Sequence, residues 1–469
     1  MSDSGGNTAM GSRALYELTV GGDNTAAGYG ALELNTSGNY NTASGVAALG
    51  FNTTGSWNTA TGAATLYSNT TGGSNTAGGY SALTFNTTGS HNTASGFNAL
   101  YCNSTGNYNT ASGAFALRGP SNSDGTYCSD YEQTGNNNTA AGAYALYGNY
   151  SGSNNTAAGY GALHQNGSGA DNIAAGANAL YSNTTGSRNS AFGGSALYNN
   201  TFSNDNNAMG YDALYQNIGT LNNAVGNFAL AANTSGNNNN AVGYAAMHAN
   251  TTGSNNNAQG FWALSANTTG NGNIAVGQYA GANLTTGSSN IDIGNYGVAG
   301  ESAVIRIGSS ATQTAAYVAG VGTSHVTGSA VYVTSSGQLG VLASSERYKT
   351  AIAPMGSDTA KLLELRPVKF HLKSDPNGAV QYGLIAEQVA AVYPELVIRD
   401  EAGNIEGVRY EELAPMLLNE MQKQHTTVAA QAEEIRDLMQ QVAKVNDLEQ
   451  RLNAVLRQLK SKDQLLAQR

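Results

Sequence analysis

No lysine occurs in this 469-residue chain before Lys349. Charge of either sign is scarce, at 11% of residues, where an ordinary domain carries about 25%. A net charge of −10 with so few basic residues excludes nucleic acid as the natural partner, because holding a phosphate backbone needs clustered Lys and Arg. Proline numbers only 6 and cysteine only 2, beside 60 glycines, so this is a biased chain and not several average domains. No apolar run approaches the length of a membrane span, and no membrane insertion is expected. The N-terminus, MSDSGGNTAMGSRAL, lacks the basic-then-apolar plan of a secretory signal. A Gly/Asn/Ser/Thr bias usually means disorder, but disordered segments are poor in aromatics and this chain has 26 tyrosines.

What is present is a period. NTAAGYGAL begins at Asn24, NTASGVAAL at Asn41 and NTATGAATL at Asn58, a step of 17 residues (41 − 24, 58 − 41). The motif glycine recurs seventeen times from Gly11 to Gly294, with one step cut to 16 (226 − 210). A short fixed period predicts a solenoid over 1–298. Seventeen residues are too few for strand-plus-helix repeats and match one turn of a parallel β-coil. Ala26, Ala31 and Leu32 would point inward, with Ala43, Ala48 and Leu49 stacked on the next coil. Asn24, Asn41 and Asn58 would form an amide ladder. Gly and Asn suit the positive-φ positions of tight turns such as Thr53-Thr54-Gly55. Periodicity alone leaves open whether the Ala-Leu step is instead a single helical turn. Two alanines and a leucine per coil make a thin core, and aromatics at the corners (Tyr29, Tyr80, Phe97, Tyr160) would be covered by neighbouring chains. An oligomer with threefold symmetry is therefore expected.

One connection, 118–137, is 12 residues longer than the rest (142 − 113 − 17). It holds Cys128; the other cysteine, Cys102, lies in the preceding coil. A projecting loop pinned by a disulfide and two free thiols are both compatible with this spacing. From Ser302 the 17-residue step stops, and 299–343 reads as a few strands closing the array, with a turn at Ser335-Ser336-Gly337.

From residue 344 the composition becomes charged and Leu-rich. Asp358 to Leu365 reads as a helix stopped by Pro367, Val368 to Leu372 as a strand, and Ile385 to Val392 as a helix before Pro394. His371 has no second His or Cys at ligand spacing, so neither a metal nor a cofactor is expected. Glu387-Gln388 reads as a polar helix face. From Pro415 onward, Met421, Val428, Ile435, Val442 and Leu456 fall at one heptad position. Leu438, Val445, Leu452, Leu459 and Leu466 fall at the other, a coiled coil imperfect at Glu449 and Asp463.

The run SSERYKTAI, then LRPVKFHLK from Leu365, YGLIAEQVAAVYPELV from Tyr382 and VRYEELAPMLLNEM from Val408, resembles the intramolecular chaperone auto-processing domain. That domain ends many phage tail fibres and endosialidase tailspikes and occurs in the myelin regulatory factor. The resemblance covers about the last quarter of the chain and divides it into a chaperone domain over 344–414 and a helix over 415–469. It implies a homotrimer whose C-terminal unit templates the shaft and then cuts itself off. Carried over, the nucleophile is Ser344, the general base Lys349, and the bond cut lies between Ala343 and Ser344. Many members have Asp after the nucleophile; here Ser345 stands there, a second candidate hydroxyl. A Ser–Lys pair can work without His if burial lowers the lysine pKa, and Arg347 beside Lys349 would push the same way.

Together these readings predict a mainly β chain: a parallel β-solenoid shaft, a small α+β chaperone domain and a long coiled-coil helix. Its expected role is a trimeric fibre on a virion or cell surface. Its expected partners are its own copies, a cell-surface receptor or glycan, and another fibre or baseplate protein at the N-terminus. The alternatives are a polysaccharide-degrading tailspike, for which Asp130/Glu132 is the close carboxylate pair to test, and a surface adhesin or ice-binding solenoid displaying Thr25, Thr42, Thr59 and Thr76.

Overall fold

The computed structural model describes residues 5–119, 128, 133–310, 312–318, 330–334, 337–341, 343–400 and 402–466, with side chains to 462. The Asp130/Glu132 pair, the Ser335-Ser336 turn and the side chains of Asp463 and Leu466 lie outside this set. The chain divides into two compact units, Met1–Ala316 and Tyr317–Arg469.

The first unit is a parallel β-solenoid. Its single sheet has 18 strands of three residues each, one per coil. Register follows the repeat: Thr25 pairs with Thr42, Ala26 with Ala43, and Thr42 with Thr59 in turn. From Thr25–Ala27 to Ile274–Val276 the central residue of each strand is a buried alanine, because side chains alternate across a strand. Ala26, Ala31 and Leu32 are fully buried, as are Ala43, Ala48 and Leu49. The Ala-Leu step is a turn and not a helix.

The turns use residues that propensity would not choose. Leu32, Leu49 and Leu66 have φ of 51°, 53° and 52°, in the left-handed region where glycine and asparagine were expected. That backbone costs a leucine about 1–2 kcal/mol. Burying its side chain returns about 1.5–3 kcal/mol, so packing decides the outcome. Gly55, expected to supply a positive φ, does not. It is glycine for want of room: a Cβ there would come within 2.8 Å of Asn69 Nδ2 and nearer still to Asn52 Oδ1. By contrast Gly62, at φ 128°, needs glycine for both reasons, since its Cβ would meet Gly79 O at 2.6 Å.

Two buried asparagine ladders run through the coils, the second from Asn35 to Asn103 and again from Asn149 to Asn267. In the first, Asn41 donates its backbone N–H (2.9 Å) and its Nδ2 (3.0 Å) to Asn24 Oδ1. The second was not anticipated: Asn52 Nδ2 donates to Asn35 Oδ1 at 2.7 Å. Asn41 and Asn52 also both donate to the Gly55 carbonyl at 2.9 Å, which ties the ladders together. Buried amides are thus paired with their own copies one coil away, which is how so polar a core stays stable. Half-buried rings stack in the same way, as in Tyr147–His164–Tyr181–Tyr198–Tyr215.

Cys102 and Cys128 are joined by a disulfide, which decides between the two readings of the long connection. After it, Gln133 bridges to Asn103 through the backbone, and its carbonyl accepts the Ser104 N–H at 3.1 Å, as threonine or serine does one residue past the ladder asparagine in most other coils. Its amide is buried and neither of its polar atoms has a partner. At the far end the sheet runs past residue 298 to a last strand, Ile305–Ile307, after a step of 14 (305 − 291). The inward slot filled by alanine elsewhere holds Asp292 and then Arg306. Arg306 pairs with Glu301 at 2.7 Å, so a charged pair closes the core where stacking stops.

The second unit is small and α+β. A short hairpin pairs Val368–Phe370 with Gln381–Gly383, and a second pairs Val397–Arg399 with Ile405–Val408. Helix α1 (Ala386–Val392) packs Val389 against Tyr393, Leu396, Val397, Val408 and Met416. The segment expected as one helix from Asp358 to Leu365 is instead two separate 3-10 turns, Gly356–Thr359 and Leu362–Glu364. Helix α2 (Tyr410–Leu466) begins five residues before Pro415 (415 − 410). Pro415 therefore lies inside the helix, past its first turn, and removes the one internal bond its N–H would make to the Glu411 carbonyl.

Candidate cleavage junction

The junction is local and open. Ser345 precedes a single 3-10 turn, Glu346–Tyr348, and its carbonyl accepts the Tyr348 N–H at 3.0 Å. Lys349 N–H donates to Glu346 O at 2.9 Å, which ends the turn. The Arg347 guanidinium lies over the Tyr348 ring, 4.7 Å from its centre. Ala343, Ser344, Ser345 and Lys349 are all exposed. No hydrogen bond joins either serine hydroxyl to the Lys349 amine among the described residues. A single chain therefore holds the expected residues near one another in sequence, with none of the burial a lysine base requires.

Immediately upstream, Val331, Val333, Leu339 and Val341 are exposed around a two-stranded pairing of Tyr332–Val333 with Leu339–Gly340. Downstream, an apolar groove is lined by Leu362, Leu365, Tyr382, Leu384, Tyr410 and Leu413. The Tyr410 hydroxyl accepts the Leu384 N–H at 2.8 Å, fastening the first hairpin to the start of α2.

A polar clamp that sequence reasoning missed fixes the Gly356–Thr359 turn to α2. Lys423 Nζ donates to Thr359 Oγ1 at 3.0 Å and pairs with Glu420 at 2.6 Å, and Thr359 Oγ1 donates to Glu420. Lys423, and after it Thr359, hold the Glu420 carboxyl below its ordinary range. The only signal for it was the Glu420/Lys423 spacing of i, i+3, which every solvated helix face displays. Glu387 and Gln388 are exposed on α1, on the side away from buried Val389, as a polar helix face would be. His371 Nδ1 lies 3.0 Å from the Gly378 carbonyl, a bond that steadies a turn.

The geometry thus defines a repeat solenoid followed by a small unit rich in uncovered apolar surface. Residues 344–398 match the family described as chaperone of endosialidase, and the match starts on Ser344 itself. No curated protein matches the chain. A parallel β-solenoid followed by a segment similar to this chaperone fits a tailspike- or fibre-type protein with a C-terminal chaperone.

Proposed function

We propose that the chain is the subunit of a homotrimeric fibre that binds a cell-surface receptor or glycan and matures by cutting off its own chaperone. The carrying observation is that the chaperone match begins at Ser344, the residue that would become the new N-terminus. Ser344 Oγ attacks the Ala343 carbonyl carbon while Lys349, as the free amine, takes the hydroxyl proton. The amide C–N bond breaks, the nitrogen gains a proton, and Ala343 is left as an ester on Ser344. Water then hydrolyses the ester, giving an Ala343 carboxylate and a free Ser344 with its hydroxyl restored. The exposed apolar residues around the junction support assembly as the trigger: covering them in a trimer would bury Lys349 and favour its neutral form. A disulfide within the shaft agrees with work outside a reducing compartment.

Intact mass is the test. Ser344→Ala leaves only full-length subunits of 48.0 kDa, and Lys349→Ala does the same. Ser345→Ala still cuts. Should Ser345→Ala block cutting while Ser344→Ala allows it, the bond is one residue along. Should all three cut normally, the Ser–Lys mechanism is wrong.

A further inference from the structure

The outward face of the solenoid sheet changes character along its length. Each three-residue strand shows its first and third side chains to solvent. From Thr25–Ala27 to Thr156–Ala158 the first is always Thr and the third is Ala, Ser, Thr or Gly. From Ser190–Phe192 onward the third positions become Phe192, Met209, Val225, Val242, Gln259, Val276, Ile293 and Ile307. Seven of these eight are large and apolar, and none is charged. In the last three strands the first positions are apolar as well: Ile274, Ile291 and Ile305. Exposure rises toward the end, to 66% at Ile305 and 73% at Ile307.

An apolar column of this length on a regular sheet is not needed to hold a coil together, because the polar coils at the other end fold on the same inward alanines and leucines. Exposed columns of this kind mark interaction surfaces. Two observations identify the occupant as further copies of this chain. Helix α2 leaves Met421, Val428, Ile435, Val442, Val445 and Leu452 in water at heptad spacing, so it requires like helices beside it. The apolar column lies in the coils nearest to α2 along the chain, so copies joined in parallel through α2 bring identical columns to the same level.

We infer that the column from Phe192 to Ile307 is the shaft's own subunit interface, where three copies pack face to axis; this rests on the trimer reading above. The Thr-bearing half keeps its sheet face wet and forms no dry seam. The shaft is thus tied together at its C-terminal half, and that seam persists after the chaperone has left.

Cysteines placed at equivalent outward positions test this in the full chain, whose own two cysteines are already paired. Val242→Cys and Ser95→Cys are treated with a short bismaleimide, which bridges thiols only a few ångströms apart, and run on denaturing gels. Val242→Cys should give covalently linked subunits and Ser95→Cys should not. Sedimentation of the untreated protein separates the two ways of failing. A monomer overturns the trimer reading and this inference with it. A trimer in which Val242→Cys does not link, or in which both sites link equally, overturns the inference alone.

Discussion

Two buried side chains break the repeat's chemistry, and each carries a measurable cost. Asp292 sits in the alanine slot with neither carboxylate oxygen partnered. Burial pushes its carboxyl up to about 6, Glu301 pushes the same way and Arg306 opposes. Unfolded, the same group lies near the ordinary Asp value of about 3.9. The folded state therefore holds this proton more tightly, so the group favours folding below about pH 4 and the benefit is lost as pH rises through 6. Asp292→Ala should raise solenoid stability at pH 8 by about 1–3 kcal/mol and change it little at pH 4. Thermal unfolding at the two pH values checks this, and equal shifts at both would sink it. Gln133 fails differently: it is buried where most other coils carry threonine or serine, and neither polar atom of its amide has a partner. Gln133→Thr should remove the unpartnered amide and raise stability by about 1–3 kcal/mol, read as a higher unfolding midpoint. A lower unfolding midpoint would show that the slot has relaxed around glutamine.

At the scale of the element, the coil and the long helix present opposite problems. A coil satisfies itself through its neighbours above and below, whereas α2 has 57 residues and its apolar heptad positions in solvent. Ile435→Asp with Leu438→Asp should sharply lower the yield of soluble trimer from the full chain on refolding, because α2 no longer gathers three copies before the shaft seam can form; an unchanged yield would mean that the helix seam does not gather the subunits. Much of this was legible in sequence because it is periodic. The 17-residue step gave the register, and the Asn24 series gave a ladder, since one amide per coil in one slot has nowhere else to bond. The leucines at positive φ were not legible, because local propensity forbids them and only tertiary burial overrides it. Nor was the role of Gly55, which depends on a second asparagine passing close by. Asp358 to Leu365 misled for a related reason: its apolar spacing suits a helix, but the clamp on Thr359 holds the segment as short turns against α2. The pairing of Ser344 with Lys349 rests on a family resemblance alone, since five residues of spacing do not fix two side chains in space.

For the whole molecule the question is why so regular a shaft should need a chaperone at all. Each coil contributes one strand of three residues and buries two alanines and a leucine, so a lone coil cannot offset the entropy of ordering it. Stability accrues only when several coils stack, which makes the first stack the slow step and later coils additions to it. Until then the apolar strand faces and the left-handed leucines are open to wrong pairing, and identical repeats offer many wrong registers one coil apart. If the C-terminal unit first joins three chains in register, as proposed, it gives the final coils, the ones bearing the apolar column, a place to start. Folding would then run from Ile307 back toward Thr8. Accordingly, a chain ended after Ala343 should give far less soluble trimer on refolding than the full chain. The shaft left after cleavage should nevertheless stay assembled, because the seam that holds it lies in its own coils. Comparing refolding yields of the two chains by sedimentation, and then the lifetime of the cleaved shaft, checks both halves. Equal yields would show that the repeats nucleate unaided and that the C-terminal unit serves some other step; a shaft that falls apart on cleavage would show that the only lasting contact between subunits was α2.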